Sequence, residues 1–215
     1  MTTELVLGVL VSGSGTNLQA VIDAVAKGSL RARIGVVLSN IATAKGLDRA
    51  RAAGIPAVVV DHKSHPSREA FDGAVVDVLR AHGVSCVVLA GFMRIITPVL
   101  LDAFPHRVVN IHPSLLPAFP GVHSQAQALN YGVRVTGCTV HLVDAGTDTG
   151  PILAQASVPV LEGDTEDTLR DRILVQEHQL LPAALQWLAE DRVEVVPAEA
   201  GGRPRIRVKP GPASR

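Results

Sequence analysis

Apolar runs and helical patterns alternate along the first half of the chain. Residues 5–11, LVLGVLV, are apolar throughout, which is typical of a strand buried on both faces of a sheet. Residues 17–28 instead repeat their apolar positions at helical spacing. The same criteria predict strands at residues 33–39, 57–60, 84–90 and 107–111, and helices at residues 43–54, 67–83 and 97–104. This alternation indicates right-handed βαβ units and a parallel sheet.

The second half of the chain has a different order of elements. A helix is predicted at residues 124–131, two strands at residues 135–143 and 152–160, and a long helix at residues 165–188. Because parallel neighbours need a longer crossover than the short loop between these strands, we expect the pair to be antiparallel. From Val193 onward the pattern predicts one weak hairpin.

The predicted fold is therefore an α/β, Rossmann-like single domain. We expect a mostly parallel sheet of about seven strands with helices on both faces, the last strands being partly antiparallel. Residues 1–190 are predicted to form this domain, and residues 191–215 a hairpin and a flexible basic tail. Residues 201–215 carry five basic residues and no acidic one. The neighbouring prolines and glycines favour a solvated end over a nucleic-acid contact.

Composition excludes several classes of protein. The chain has 215 residues with 20 basic and 20 acidic side chains, unlike the basic balance of a dedicated nucleic-acid binder. An apolar content of 47% argues against disorder. No apolar run approaches the ~20 residues of a membrane-spanning helix. The apolar start runs directly into a turn, so we expect a strand there and not a signal peptide.

Both cysteines, Cys86 and Cys138, lie in apolar runs. This placement predicts buried thiols in a reducing compartment and not a disulfide framework. We therefore expect a cytoplasmic protein.

A glycine-rich turn, SGSGTN, follows the first predicted strand and ends in Gly15, Thr16 and Asn17. Glycines let the backbone approach an anion, and the N-terminus of the next helix offers N–H groups. We favour a monophosphate site over a simple tight turn. The turn is not a Walker loop, and Leu18 occupies the third glycine position of a dinucleotide fingerprint.

Asn110 and His112 lie two residues apart at the end of a predicted strand, so their side chains point to the same side. An amide beside an imidazole can donate hydrogen bonds to a developing oxyanion. Prolines at positions 113, 117 and 120 stiffen the following segment. The alternative is a histidine that only caps a strand end.

Asp148 lies in a loop rich in glycine and threonine between the last two sheet strands. Aspartates in such loops are usually turn formers. A catalytic role requires the loop to fold beside His112, where the carboxylate would orient and charge the imidazole.

Three other residues each have two interpretations. Arg94 either meets an anion or lies on the surface, and Glu177 either binds a sugar or lies on a solvated helix face. His141, in mid-strand, is either a core histidine with satisfied hydrogen bonds or a ligand, and we favour the core histidine. No metal site is predicted, since HExxH and CxxC motifs are absent and the eight histidines are scattered.

Four motifs in the same order resemble those of the phosphoribosylglycinamide formyltransferases, enzymes of purine biosynthesis. They are SGSGTNLQAVIDA, VVLAGFMRI, NIHPSLLPAFPGVH and TVHLVDAGTDTGPI. The resemblance extends over roughly residues 5–188. The order and spacing of the set are far more specific than any one motif.

The resemblance implies a role for particular residues. It places the catalytic trio at Asn110, His112 and Asp148, the substrate-phosphate loop at Gly15, Thr16 and Asn17, and the ribose contact at Glu177. It places folate-binding segments at Met93, Arg94, Ile95 and Ile96 and at Asp144, Ala145, Gly146 and Thr147. Ala118, Gln125 and Thr149 depart from the residues common in the family.

The activity implied by the resemblance is formyl transfer from 10-formyltetrahydrofolate to the amine of glycinamide ribonucleotide. We therefore expect these two small molecules as partners, no metal, nucleic acid or membrane, and a monomer or homodimer. Two alternatives remain. A formyltetrahydrofolate hydrolase would use the same trio with water as the nucleophile. A non-catalytic nucleotide-binding module would need only the phosphate loop and would leave the trio unexplained.

Overall fold

The computed structural model describes residues 4–198 and 202–211. The strands are β1 (Leu5–Val11), β2 (Ala32–Ser39), β3 (Ala57–Val59), β4 (Cys86–Leu89), β5 (Val108–His112), β6 (Val135–Leu142), β7 (Ile152–Pro159), β8 (Val193–Val196) and β9 (Arg205–Val208). The α-helices are α1 (Thr16–Ala26), α2 (Lys45–Ala52), α3 (Arg68–Ala81), α4 (Pro98–Ala103), α5 (Ser124–Tyr131) and α6 (Glu166–Ala189), and His62–Ser64 is a short 3₁₀ helix.

Seven of these strands form one sheet in the order β3-β2-β1-β4-β5-β6-β7. The pairs β1–β2, β1–β4, β2–β3 and β4–β5 are parallel, and β6–β7 is antiparallel. The predicted α/β fold with a mostly parallel sheet and an antiparallel final pair is confirmed. By their internal contacts the residues divide into two compact units, Met1–Asn110 and Ile111–Arg215, with the division inside β5.

The first unit is built around β1, in which all seven residues are buried. Leu47 from α2 and Leu79 from α3 are also fully buried. A continuous apolar run is what a strand covered on both faces requires, because side chains alternate between the faces.

The second unit packs α6 against the β6–β7 pair. Its apolar cluster includes Cys138 from β6, Val158 from β7 and Leu169 from α6. The N-terminus of α6 is closed by a reciprocal capping box between Thr165 and Thr168, which satisfies helix N–H groups that have no intrahelical acceptor.

Helices α1, α2 and α3 end two residues before the glycines at which the sequence predicted their ends. Gly28, Gly54 and Gly83 have φ values of 72°, 70° and 67°. This left-handed conformation belongs to the residue that follows a helix cap, so each glycine terminates its helix from outside.

The predicted loose tail is partly wrong, because Arg205–Val208 forms β9 and pairs antiparallel with β8. Its alternating Arg-Ile-Arg-Val pattern is itself a strand signal. Arg192 also donates from Nε to the Lys209 carbonyl at 2.7 Å. Residues 201 and 212–215 of the predicted tail lie outside the described residues. The domain boundary at residue 190 stays a prediction.

Both cysteines are buried and free, as predicted. Burial raises the pKa of each thiol to about 12. Among the helices in residues 4–198 and 202–211, none has the length and apolarity needed to cross a membrane.

Substitution of Gly137 in β6 tests how closely β6 and β7 pack, because an added Cβ would collide with the carbonyl of Ala156 in β7. We expect Gly137→Ala to lower the free energy of unfolding by at least about 2 kcal/mol, since backbone must move to admit the methyl group. Urea denaturation measures this loss. Gly73→Ala in α3 is the control, since its Cβ meets nothing within 4 Å. It should be neutral or stabilising by up to ~1 kcal/mol. Equal stability of the Gly137→Ala variant and the wild type would contradict the packing.

Candidate active site

The glycine-rich turn lies where the sequence predicted it, between β1 and α1. Gly15 is the N-cap of α1 with φ 68°, and Thr16 and Asn17 are the first two helical residues. The N–H groups of a first helical turn have no intrahelical acceptor, so this turn presents donors and the positive end of the helix dipole. The geometry suits an anion.

Two residues of helix α2 donate hydrogen bonds to the backbone of this turn. The Gly46 N–H donates to the carbonyl of Gly13 at 3.1 Å, and Arg49 donates from Nε to the carbonyl of Ser14 at 2.8 Å. A Cβ on Gly15 would lie 2.6 Å from the Cα of Gly46. Both the left-handed φ and this contact require glycine at position 15.

Residues 93–96 form an exposed segment after β4. The side chains of Met93 and Ile95 are 71% and 66% exposed. The guanidinium of Arg94 lies 6.0 Å from the centre of the Phe71 ring, within cation–π range. Arg94 therefore has a protein contact that neither of its two sequence interpretations included.

Asn110 and His112 both lie in β5, and the strand extends one residue further than predicted, to His112 itself. The half-buried Asn110 pairs with Leu89 of β4 in the parallel register. His112 is 5% exposed. Two residues apart on one strand, these side chains share a side, as predicted.

The imidazole of His112 is placed between two acceptors. Nε2 lies 2.9 Å from the carbonyl oxygen of Phe119, and Nδ1 lies 3.3 Å from Oδ2 of Asp148. A carbonyl and an ionised carboxylate can only accept, so both contacts are satisfied when both ring nitrogens carry a proton. The site thus suits an imidazolium, and the loop carrying Asp148 does fold beside His112.

The Asp148 carboxylate has three neighbours that favour its charge. The Gly121 N–H donates to Oδ2 at 2.7 Å, and His141 Nε2 lies 3.6 Å from Oδ1. Burial alone raises the pKa of Asp148, but the His141 side chain, the Gly121 N–H and the charge of His112 together hold that pKa below its ordinary value. The carboxylate is therefore an anion near neutral pH.

His141 is the residue that sequence reasoning undervalued. It is a buried strand histidine, as predicted, with Nδ1 2.9 Å from the Leu142 carbonyl. Its Nε2, however, faces Asp148. All of β6 from Thr136 to Leu142 is buried, so the strand sequence indicates only that His141 lies in the interior. Its contact with Asp148 depends on the return of the chain after β6, which no local pattern specifies.

The proline-containing segment between β5 and α5 supplies Phe119 O and Gly121 N, and the sequence did not predict either contact. Thr139 Oγ1 of β6 fixes this segment by donating to the Ser114 carbonyl at 2.7 Å and accepting from the Leu116 N–H at 3.0 Å. These buried hydrogen bonds set the path of the backbone toward Asp148.

The loop before Asp148 closes on itself. Oδ1 of Asp144 accepts from the Gly146 N–H at 3.1 Å and from the Thr149 hydroxyl at 2.6 Å. Thr149 is one of the departures from the family pattern, and here its hydroxyl stabilises the turn. Residues 144–147 are exposed and available to a ligand.

Glu177 is 4% exposed, so the solvated helix face considered for it is wrong. It lies in the buried stripe of α6 that includes Ile173 and Leu181, four residues to either side. The i, i+4 spacing was legible in the sequence and was the signal for burial. The negative charge of Glu177 also helps to raise the pKa of Cys138.

Comparison with known proteins agrees with this arrangement. The sequence profile of the family described as "Formyl transferase" matches residues 6–185. Phosphoribosylglycinamide formyltransferase from Mycobacterium tuberculosis is 52% identical over 190 residues, covering 88% of this chain and 87% of that protein. This chain belongs to the phosphoribosylglycinamide formyltransferase family.

Solved structures of the family share the fold. The crystal structure of glycinamide ribonucleotide transformylase 1 from Symbiobacterium toebii superimposes with a TM-score of 0.92 at 52% identity, covering 96% of this chain and 95% of that one. Much longer relatives match as well. The chain spans 15% and 19% of the trifunctional purine biosynthetic proteins adenosine-3 of Drosophila pseudoobscura and Homo sapiens, at 49% and 46% identity.

The contact between His141 and Asp148 predicts a change in titration. In a His141→Asn variant the shorter, neutral side chain does not reach the carboxylate, so the pKa of Asp148 should rise toward 3.8. Carboxyl carbon NMR measures this directly. Because a lowered pKa adds stability above the unfolded value, which is lost as pH falls through the folded value, unfolding of the variant should also depend less on pH below 3.8.

His123→Asn is the matched control, since His123 is exposed and asparagine tolerates its φ of 59°. That variant should leave the Asp148 titration unchanged. An unaltered titration in His141→Asn would show that His141 does not act on the carboxylate.

Proposed function

We propose that this chain transfers the formyl group of 10-formyltetrahydrofolate to the amino group of glycinamide ribonucleotide. The observation that carries the proposal is the pair formed by the buried His112 and the partly buried Asp148, with Nδ1 and Oδ2 3.3 Å apart. A charged imidazole fixed at the end of a strand is a donor for the oxyanion of acyl transfer. The names of the family members cited above support formyl transfer.

The proposed reaction needs no nucleophilic side chain. The amine of glycinamide ribonucleotide forms a bond to the formyl carbon as the carbonyl electron pair moves onto oxygen. His112 and the amide of Asn110 donate hydrogen bonds to that oxygen. The bond to the folate nitrogen then breaks, and that nitrogen takes up the proton that the new ammonium releases through water near Asp148.

The contact between His112 and Phe119 bears on this step. Nε2 faces the Phe119 carbonyl at 2.9 Å, so the reacting oxygen must compete with a neutral acceptor for the same proton. An oxyanion accepts a stronger hydrogen bond than a neutral carbonyl, which favours the exchange only as charge develops. A hydrogen bond from His112 that strengthens as negative charge develops on this oxygen lowers the activation barrier more than it tightens substrate binding.

Binding roles follow from the family motifs. We assign the substrate phosphate to Gly15, Thr16 and Asn17, where a helix N-terminus meets a glycine turn. We assign the ribose to Glu177. We assign the folate to two segments. One is Met93, Arg94, Ile95 and Ile96, which is partly exposed, and the other is Asp144, Ala145, Gly146 and Thr147, which is exposed. No metal takes part in this proposal.

The first test follows the formyl group in the presence and absence of glycinamide ribonucleotide. We expect 10-formyltetrahydrofolate to be consumed only when the ribonucleotide is present, with formylated product detected by mass spectrometry. Equal consumption without it would establish the hydrolase instead. No consumption, with the ribonucleotide still bound, would leave a binding module.

Substitution of the pair tests the chemistry. His112→Ala and Asp148→Asn should each lower kcat by about 10²–10³, because each removes or weakens an oxyanion donor. Steady-state kinetics measures the loss, and thermal unfolding checks that the fold survives. His82→Ala is the control, since His82 lies at the end of α3 and its Nδ1 bonds the Val78 carbonyl of its own helix. Near-normal turnover in His112→Ala would overturn the assignment.

A further inference from the structure

Ser12, the residue that follows β1, connects three segments through hydrogen bonds. Its N–H donates to the carbonyl of Gly91 at 3.0 Å. Its hydroxyl donates to Oδ1 of Asn40 at 2.6 Å and accepts from the N–H of Met93 at 2.9 Å. Ser12 is 9% exposed and Asn40 is 4% exposed, and the bond between them is buried, whereas the bond to Met93 is partly buried.

The position of Ser12 in the chain gives these bonds their importance. It is three residues before Gly15, the N-cap of α1 in the proposed phosphate loop. The Met93 N–H that it holds is the first donor of the exposed folate segment, residues 93–96. One hydroxyl therefore lies at the base of both proposed binding loops.

The folate segment has a second, separate anchor at its far end. Oδ2 of Asp72 accepts from the N–H and from the hydroxyl of Thr97, both at 2.7 Å. This anchor does not touch the glycine-rich turn. The two ends of the segment thus differ, since Ser12 is shared with the phosphate loop and Thr97 is not.

We infer that Ser12 is a positioning residue whose hydroxyl joins the phosphate loop and residues 93–96 into one binding element, so that its loss weakens binding of the phosphate substrate and of the folate together. The inference rests on the proposed function, and it assigns Ser12 no contact with either ligand. A hydroxyl that donates once and accepts once has a fixed orientation, which is why its removal frees both partners. Linkage requires that any coupling through it be reciprocal.

The test compares Ser12→Ala with two matched variants. Ser12→Ala should raise KM for glycinamide ribonucleotide and KM for 10-formyltetrahydrofolate by about tenfold each, the equivalent of one ordinary hydrogen bond, with kcat changed less than about twofold. Thr97→Val, which keeps the shape and removes the hydroxyl at the other anchor, should raise KM for the folate alone.

Ser85→Ala controls for a general loosening of the sheet. The Ser85 hydroxyl also joins β4 to β1, since it accepts from the Val6 N–H at 3.0 Å and donates to the Val6 carbonyl at 3.3 Å, but at the opposite ends of these strands. Both KM values should stay at the wild-type level in Ser85→Ala. If Ser12→Ala fails to unfold cooperatively, Ser12→Cys replaces it and should raise both KM values by a smaller factor.

Three results would overturn the inference: a rise in only one KM, a fall in kcat with both KM values unchanged, or the same changes in Ser85→Ala. Calorimetric binding of ribose 5-phosphate and of tetrahydrofolate gives a readout without turnover. If the wild type formed no formylated product, the proposed function would fail. Weaker binding of both ligands to Ser12→Ala would still support the shared anchor, and unchanged binding would refute it.

Discussion

A carboxylate withdrawn from water must be compensated by donors or positive charge, and Asp148 receives both from elements distant in sequence. The Gly121 N–H comes from the proline-containing segment, His112 from the end of β5 and His141 from β6. Each donor is fixed from its other side, by a carbonyl or by the backbone. Burial strengthens these interactions, because the effective dielectric constant inside a protein is lower than in water.

The donors to Asp148 also have to lie in particular positions, and other residues hold the backbone that carries them. Thr139 holds the carbonyl of Ser114 and the N–H of Leu116, which directs the backbone toward Phe119 and Gly121. The Phe119 carbonyl then orients His112 without neutralising it. Both ring nitrogens of His112 face an acceptor, the Phe119 carbonyl at Nε2 and the Asp148 carboxylate at Nδ1.

In the first unit, hydrogen bonds hold the loops that follow the parallel strands. Its loops follow buried parallel strands, and the carboxyl ends of such strands are where open α/β sheets bind ligands. The glycine-rich turn is held by Gly46 and Arg49 from α2, and the segment after β4 is held by Ser12 and Asp72. Rigid loops reduce the entropy lost on binding.

The order and type of the elements can be read from the residues alone, because apolar periodicity, glycine caps and strand length are local properties. The sequence patterns located β1 and α5 at the observed residues and the other strands and α-helices through α6 to within about two residues, but they missed β9. The sequence also identified three segments that carry polar residues at the ends of sheet strands, and the order of its motifs identified the family. Which polar atoms meet depends instead on tertiary contacts. The contact of His141 with Asp148, the pairing of β9 with β8 and the hydrogen bond from Met93 to Ser12 each join residues whose separation in sequence follows no helix or strand repeat. Local patterns report which face of an element is buried, whereas these contacts depend on how the chain returns between elements.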